Sequence, residues 1–167
     1  MSYAKLKSEL LAARDRRHAA LLQVLGQGWR ATLFLSLAIP GADKIPAGTE
    51  SLFAWARQEA EAACGGRTGL REGHDRLGPF AILGSAMEPV SLKRICVELE
   101  AVAPFARLID ADVYDPQGAA VDRAFLGLPP RPCLVCDAPA KDCIRLGHHD
   151  EAELSRRVYE LLAPFTG

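Results

Sequence analysis

Two groups of residues have types and spacings that could do chemistry. In the run Arg107-Leu108-Ile109-Asp110-Ala111-Asp112-Val113-Tyr114, two carboxylates stand two positions apart. On a strand, side chains two apart share a face, about 6–7 Å from each other along the chain. Asp110 and Asp112 therefore face one way, while Ile109, Ala111 and Val113 face the other and look like core. Two carboxylates so placed repel each other unless a cation lies between them. An octahedral magnesium ion, taking two protein oxygens and the rest from phosphate and water, meets that need. Arg107, at the start of the predicted strand, has the planar fork that can hold phosphate oxygens in a bidentate grip. The solvated face of an antiparallel sheet shows the same alternation, so the pattern leaves both readings open. Leu108 and Tyr114 on the carboxylate face argue against a purely wet surface.

The second group is Cys133-Leu134-Val135-Cys136, followed by Cys143 and then His149, with His148 adjacent. Three thiolates and one imidazole make a tetrahedral zinc site, and the C-x2-C half has the usual knuckle spacing. Pro132 before the cluster and Pro139 within it favour a turn over a continuous helix. Three readings stay open here: a structural zinc ion, catalytic cysteine chemistry, or reduced thiols packed against the closing helix.

Basic residues near breaks in the pattern are candidates for binding an anionic substrate. Pro40-Gly41-Ala42-Asp43-Lys44 offers a glycine turn and an ammonium, but lacks the second glycine and the Lys-Ser/Thr ending of a P-loop. Arg14, Arg16 and Arg17 lie on the first predicted helix, with Arg14 and Arg17 three apart and so on one face. From the pattern alone, ordinary surface charge is the expected reading of all of these. Glu98 and Glu100 lie off the apolar stripe of their helix and are expected in solvent.

The elements that must position these residues can be read from periodicity. Tyr3–Leu25 carries Leu6, Leu10, Ala13, Leu21 and Val24 at near-helical spacing, closed by Gly26 and Gly28. Arg30–Ile39 reads as a strand, Thr49 as the cap of a helix ending at Gly65-Gly66, and Arg67 to Gly78 as a loop. Pro79–Ala86 is a second strand, and Ser91 caps a helix with Leu92, Ile95, Leu99 and Val102 on one stripe. Asp115-Pro116-Gln117-Gly118 fits a type I turn between Arg107–Tyr114 and Ala119–Phe125. Asp150 and Glu153 mark a capping box ahead of Leu154, Val158, Leu161 and Leu162. The expected fold is α+β: a mixed sheet of about four strands with helices packed largely on one face. Residues 1–167 read as one domain, with 132–149 as a zinc-knuckle-like subregion. The 167 residues are 49% hydrophobic and 25% charged with net charge −1, which gives no sign of a nucleic-acid-coating surface. Near Met1, Lys5, Lys7 and Glu9 interrupt the apolar residues, so this end reads as mature protein, not a signal peptide. No apolar run approaches the roughly 18–20 residues that span a bilayer. The five cysteines are too unevenly placed for a secreted disulfide framework, and a reducing cytoplasm is expected.

Taken in order, Arg107-Leu108, Asp110-x-Asp112-Val113, Pro116-x-Gly118, Leu128-Pro129-Pro130-Arg131, Cys133-x-x-Cys136, Cys143 and His149 resemble one family. These are the apo-citrate lyase phosphoribosyl-dephospho-CoA transferases, or holo-citrate lyase synthases. Weaker similarity extends to Glu98-Leu99-Glu100, Pro104, Lys93, Pro40-Gly41 with Lys44, and Arg14-Asp15 with Arg17. The resemblance implies a nucleotidyltransferase that joins 2′-(5″-triphosphoribosyl)-3′-dephospho-CoA to a serine of the citrate lyase acyl carrier subunit and releases pyrophosphate. It further implies magnesium on Asp110 and Asp112 against the reacting phosphate, with Arg107, Lys44, Arg14 and Arg17 adding positive charge. Where family members carry histidine and glycine, this chain has Ala101, Ala103 and Ala106. Two alternatives follow from that difference and from the cysteines: the same transfer to a malonate decarboxylase type of carrier, or a non-catalytic zinc-stabilised module that binds a carrier.

Overall fold

The computed structural model describes residues 3–66 and 69–167; Met1, Ser2, Arg67 and Thr68 lie outside the described residues. Five strands, β1 (Ala31–Leu37), β2 (Gly69–Asp75), β3 (Gly78–Ser85), β4 (Ile109–Tyr114) and β5 (Ala120–Val121), form one sheet in the order β2-β3-β1-β4-β5. Every pairing is antiparallel. The α+β class is as expected, but the sheet is antiparallel where a mixed one was expected, and it has one strand more than the expected four or so.

The fifth strand is β2, in the stretch read as a loop. It lies on an edge and carries Arg71, Glu72, His74 and Asp75, so it lacks the apolar alternation that marks an inner strand. Gly73 in the paired stretch is fixed by packing: a Cβ there would come within 2.5 Å of the Phe80 ring. At the other edge β5 is shorter than expected. Asp122 accepts a hydrogen bond from Phe125 N at 2.8 Å and turns the chain away after Val121.

Register explains the two faces. Leu33, Leu35 and Leu37 of β1 align with Leu83 and Ala81 of β3 and with Val113, Ala111 and Ile109 of β4. That face packs on α2 (Thr49–Ala63), α3 (Pro89–Leu99) and α5 (Glu151–Leu162) through Leu52, Phe53, Leu92, Val158, Leu161 and Leu162, all buried. Leu108, on the 3-10 turn Pro104–Leu108, joins this core and does not share the carboxylate face. On the opposite face, α1 (Tyr3–Leu25) lays Ala20, Leu21 and Val24 over Phe80 and Ile82 of β3. Helices thus lie largely, but not wholly, on one face.

Local signals hold where they are strongest. Asp150 accepts from Glu153 N at 2.8 Å at the start of α5, and Gly118 N reaches Asp115 O at 3.0 Å in the hairpin turn, with Gly118 at φ +82°. α3 begins at Pro89 instead of after Ser91, because proline at the first turn gives up no hydrogen bond. A short α4 (Ala140–Leu146) follows Pro139 inside the cysteine region. Among the described residues, no helix is long and apolar enough to cross a membrane.

Candidate active site and cysteine–histidine centre

α1 covers β3 and leaves β4 open, and a cavity of about 430 Å³ lies between them, a volume typical of small-molecule sites. In the register of β1 with β4, Ser36 lies opposite Asp110 and Phe34 opposite Asp112. All four line the cavity, with Tyr114 beyond them. Arg14 and His18 of α1, and Lys44 from the loop after β1, close its other side.

The electrostatics are unbalanced in two opposite ways. The carboxylates are recessed but still wetted. Asp112 is pushed up to about 6, first by partial burial and then by the charge of Asp110. Asp110 is also raised, chiefly by burial, although Arg131 pulls the other way. Lys44 is lowered by burial and by the nearby Arg14 cation, while its Nζ donates to Ile39 O at 2.6 Å. One wall of the cavity thus crowds anions and another crowds cations. A divalent ion carrying phosphates relieves both at once, since the metal satisfies the carboxylates and the phosphates satisfy the cations. On this ground the donor set fits magnesium.

Two of the expected cations are committed elsewhere. Arg17 lines the cavity, but its guanidinium is buried and bidentate to Asp75 at 2.9 and 2.8 Å. It also donates to Gly78 O at 2.6 Å and stacks on the Phe80 ring at 4.8 Å. Arg107 is on the 3-10 turn, not on the strand, and donates to Cys133 O; it is not among the residues lining the cavity. The turn before β4 directs the Arg107 side chain towards the cysteine loop, so the expected phosphate grip is not among the contacts of this cavity.

Residues to which the sequence assigned no role support the carboxylate strand from its outer edge. β5 is too short to cover the outer edge of β4, and side chains satisfy the exposed backbone groups instead. Lys93 Nζ donates to Ala111 O at 2.6 Å, and Glu100 accepts from Ala111 N at 3.2 Å. Glu100 also accepts from Arg123 at 3.1 Å; it is buried, contrary to its expected place in solvent. Arg131 donates to Arg107 O and Ile109 O and approaches Asp110 Oδ1 at 3.4 Å. The Pro-Pro-Arg sequence ahead of the first cysteine was its only visible signal. Ala101, Ala103 and Ala106 do not line the cavity, and Ala106 is packed in the core.

The ligand atoms of Cys133, Cys136, Cys143 and His149 all lie within 4.8 Å of one another, so the group could hold a metal ion. A knuckle turn gathers them: Cys133 N donates to Ala138 O at 2.8 Å, and Pro132 bridges Pro139. Burial opposes ionisation of Cys133, yet backbone N–H groups of Val135 and Cys136 aimed at its sulfur draw it down to about 7. His149 presents Nε2 to Cys136 Sγ at 3.4 Å, and its Nδ1 meets Glu153 at 3.0 Å. A carboxylate behind an imidazole in this way fixes the ring for coordination through the other nitrogen.

A family model described as apo-citrate lyase phosphoribosyl-dephospho-CoA transferase matches residues 6–165. Proteins of that name from Escherichia coli O139:H28 (strain E24377A / ETEC), Escherichia coli O8 (strain IAI1) and Shigella boydii serotype 18 (strain CDC 3083-94 / BS512) are each 39% identical over 85 residues. That stretch is 51% of this chain and 46% of each relative, so the match spans about half the length of the curated relatives. Because the family model runs through nearly the whole chain, including the carboxylate strand and the cysteine–histidine loop, the protein belongs to the apo-citrate lyase phosphoribosyl-dephospho-CoA transferase family.

Proposed function

We propose that residues 1–167 act as one transferase domain, which joins 2′-(5″-triphosphoribosyl)-3′-dephospho-CoA to a serine of the citrate lyase acyl carrier subunit. The serine hydroxyl loses its proton to water as its oxygen bonds to the innermost phosphorus of the triphosphate, the bond from that phosphorus to the next bridging oxygen breaks, and pyrophosphate leaves. The observation that carries this reading is the pairing of crowded carboxylates with crowded cations in one cavity. Asp110 and Asp112 would hold magnesium, which supplies charge neutralisation for the phosphates. Arg14 and Lys44 bind the triphosphate oxygens, and Ser36 offers a hydroxyl beside Asp110. Such chemistry is mostly positioning and charge stabilisation, so a site without a protein nucleophile suffices. Zinc is the metal that suits three thiolates and an imidazole, and its role is to tie down residues 132–149. The reduced thiols accord with a cytoplasmic setting.

The test is incubation with magnesium, the activated precursor and the carrier subunit, read by carrier mass and by pyrophosphate release. Asp110→Asn and Asp112→Asn are expected to slow release by about two orders of magnitude or more, as loss of a several kcal/mol metal contribution requires. Their circular dichroism should be unchanged. Wild-type rates in both variants would refute the reading. A gain of the same mass only on a malonate decarboxylase type of carrier would reassign the acceptor and keep the chemistry.

A further inference from the structure

Arg131 links the cysteine–histidine loop to the carboxylate strand. Its backbone carbonyl accepts from Ala140 N at 2.9 Å at the base of the knuckle, two residues before Cys133. Its guanidinium spans the uncovered edge of β4, donating to Arg107 O and Ile109 O, with Nη1 at 3.4 Å from Asp110 Oδ1. The loop behind it is tied at two more points, by Arg107 to Cys133 O and by Arg157 to Leu134 O at 3.1 Å. The four ligand groups gathered within 4.8 Å meet one another through thiol and imidazole contacts, Cys136 to Cys143 at 3.5 Å and His149 to Cys136 at 3.4 Å, which a metal ion would replace with coordination bonds.

We propose that the cysteine–histidine metal centre acts on the active site through Arg131, a positioning residue whose fork sets the β4 edge and orients Asp110 for its divalent ion. This rests on the reading of Asp110 and Asp112 as ligands of that ion. The work is geometric more than electrostatic: Nη2 reaches two carbonyls while Nη1 of the same rigid fork turns to a carboxylate, a spread that the single nitrogen of an ammonium lacks. A cation beside Asp110 also competes with the metal for charge, so charge alone would predict tighter metal binding when Arg131 is removed.

Arg131→Lys separates the two effects, because it keeps the charge and loses the fork. Manganese serves as the probe, titrated against the whole protein and followed by water proton relaxation, with zinc content measured in each sample. The same titration of Asp112→Asn subtracts manganese taken up elsewhere. Arg131→Lys is expected to weaken manganese binding about tenfold, the scale seen when a partner behind a metal ligand is lost, with zinc content unchanged. Stripping zinc from the wild type should weaken it similarly, and stripping zinc from Arg131→Lys should add nothing further. If the zinc-free protein unfolds, the zinc-loaded Arg131→Lys titration decides alone. Manganese binding that is lost in Asp112→Asn but unaffected by Arg131→Lys overturns this inference and leaves the carboxylate site standing. Fully additive losses, or purification under reducing conditions without chelator yielding zinc-free protein, also overturn it. A wild type that takes up no more manganese than Asp112→Asn overturns both this inference and the reading beneath it.

Discussion

Asp112 gives up its proton only near pH 6 because partial burial and the neighbouring Asp110 both disfavour its charge. That shift has a consequence for stability that can be measured without substrate. An unfolded aspartate titrates near pH 4, so between about pH 4 and 6 the native state binds more protons than the unfolded one. Stability contributed by this group is therefore present at low pH and is lost as pH rises through that window. In magnesium-free buffer the wild type is expected to lose stability relative to Asp112→Asn as pH rises from about 4 to 6, and added magnesium should restore the difference above pH 6. Paired denaturant titrations across the window measure it. A flat difference profile would mean that Asp112 titrates like an open surface group.

Among elements, α1 has a buried polar anchor to the sheet that stands apart from its apolar stripe. Arg17 reaches across to Asp75 at the end of β2 and to Gly78 O at the start of β3, and both charged side chains are 9% exposed. Removing one partner of a buried pair leaves the other charge without compensation, at a cost of about 3–5 kcal/mol. Arg17→Ala is thus expected to lose stability on that scale in urea titrations, where a purely substrate-binding arginine would lose affinity and little stability. The same contrast shows what was legible in the sequence. The spacing of Arg14 and Arg17 identified their shared face, but not that Arg17 is tied to a residue 58 positions away. Asp150 with Glu153, the Asp115–Gly118 turn and the split of Asp110 and Asp112 from Ile109, Ala111 and Val113 were legible because each depends on neighbours within a few positions. β2 was not, since an edge strand is defined by its partner β3 and not by its own pattern. Lys93, Glu100 and Arg131 were obscure for a related reason: their partners are backbone groups of β4 and of the turn before it, along an edge left open because β5 stops after two residues.

For the molecule as a whole, the cysteine–histidine centre lies where the last part of the chain meets the rest. His149 precedes α5, whose Val158, Leu161 and Leu162 are buried in the main core, while Cys133 and Cys136 sit on a loop bonded to Arg107. An ion bound there bridges the closing helix to the turn that leads into β4, so binding and folding are coupled. Ligand binding to the native state alone adds roughly 4 kcal/mol at a thousandfold excess over the dissociation constant. In a chain of this size each kcal/mol moves the melting temperature by about 2–4 °C. Stripping zinc under reducing conditions is therefore expected to lower the melting temperature by about 8–16 °C, reversed by zinc and not by magnesium. Calorimetry of the stripped and reloaded protein decides the matter, with Cys143→Ser as a check that the effect runs through this centre: its melting should be insensitive to zinc. Equal melting temperatures with and without zinc would reduce the cluster to packed thiols. The closing helix would then be held without an ion, by its apolar face, the Asp150 cap and bonds such as Arg157 to Leu134 O at 3.1 Å.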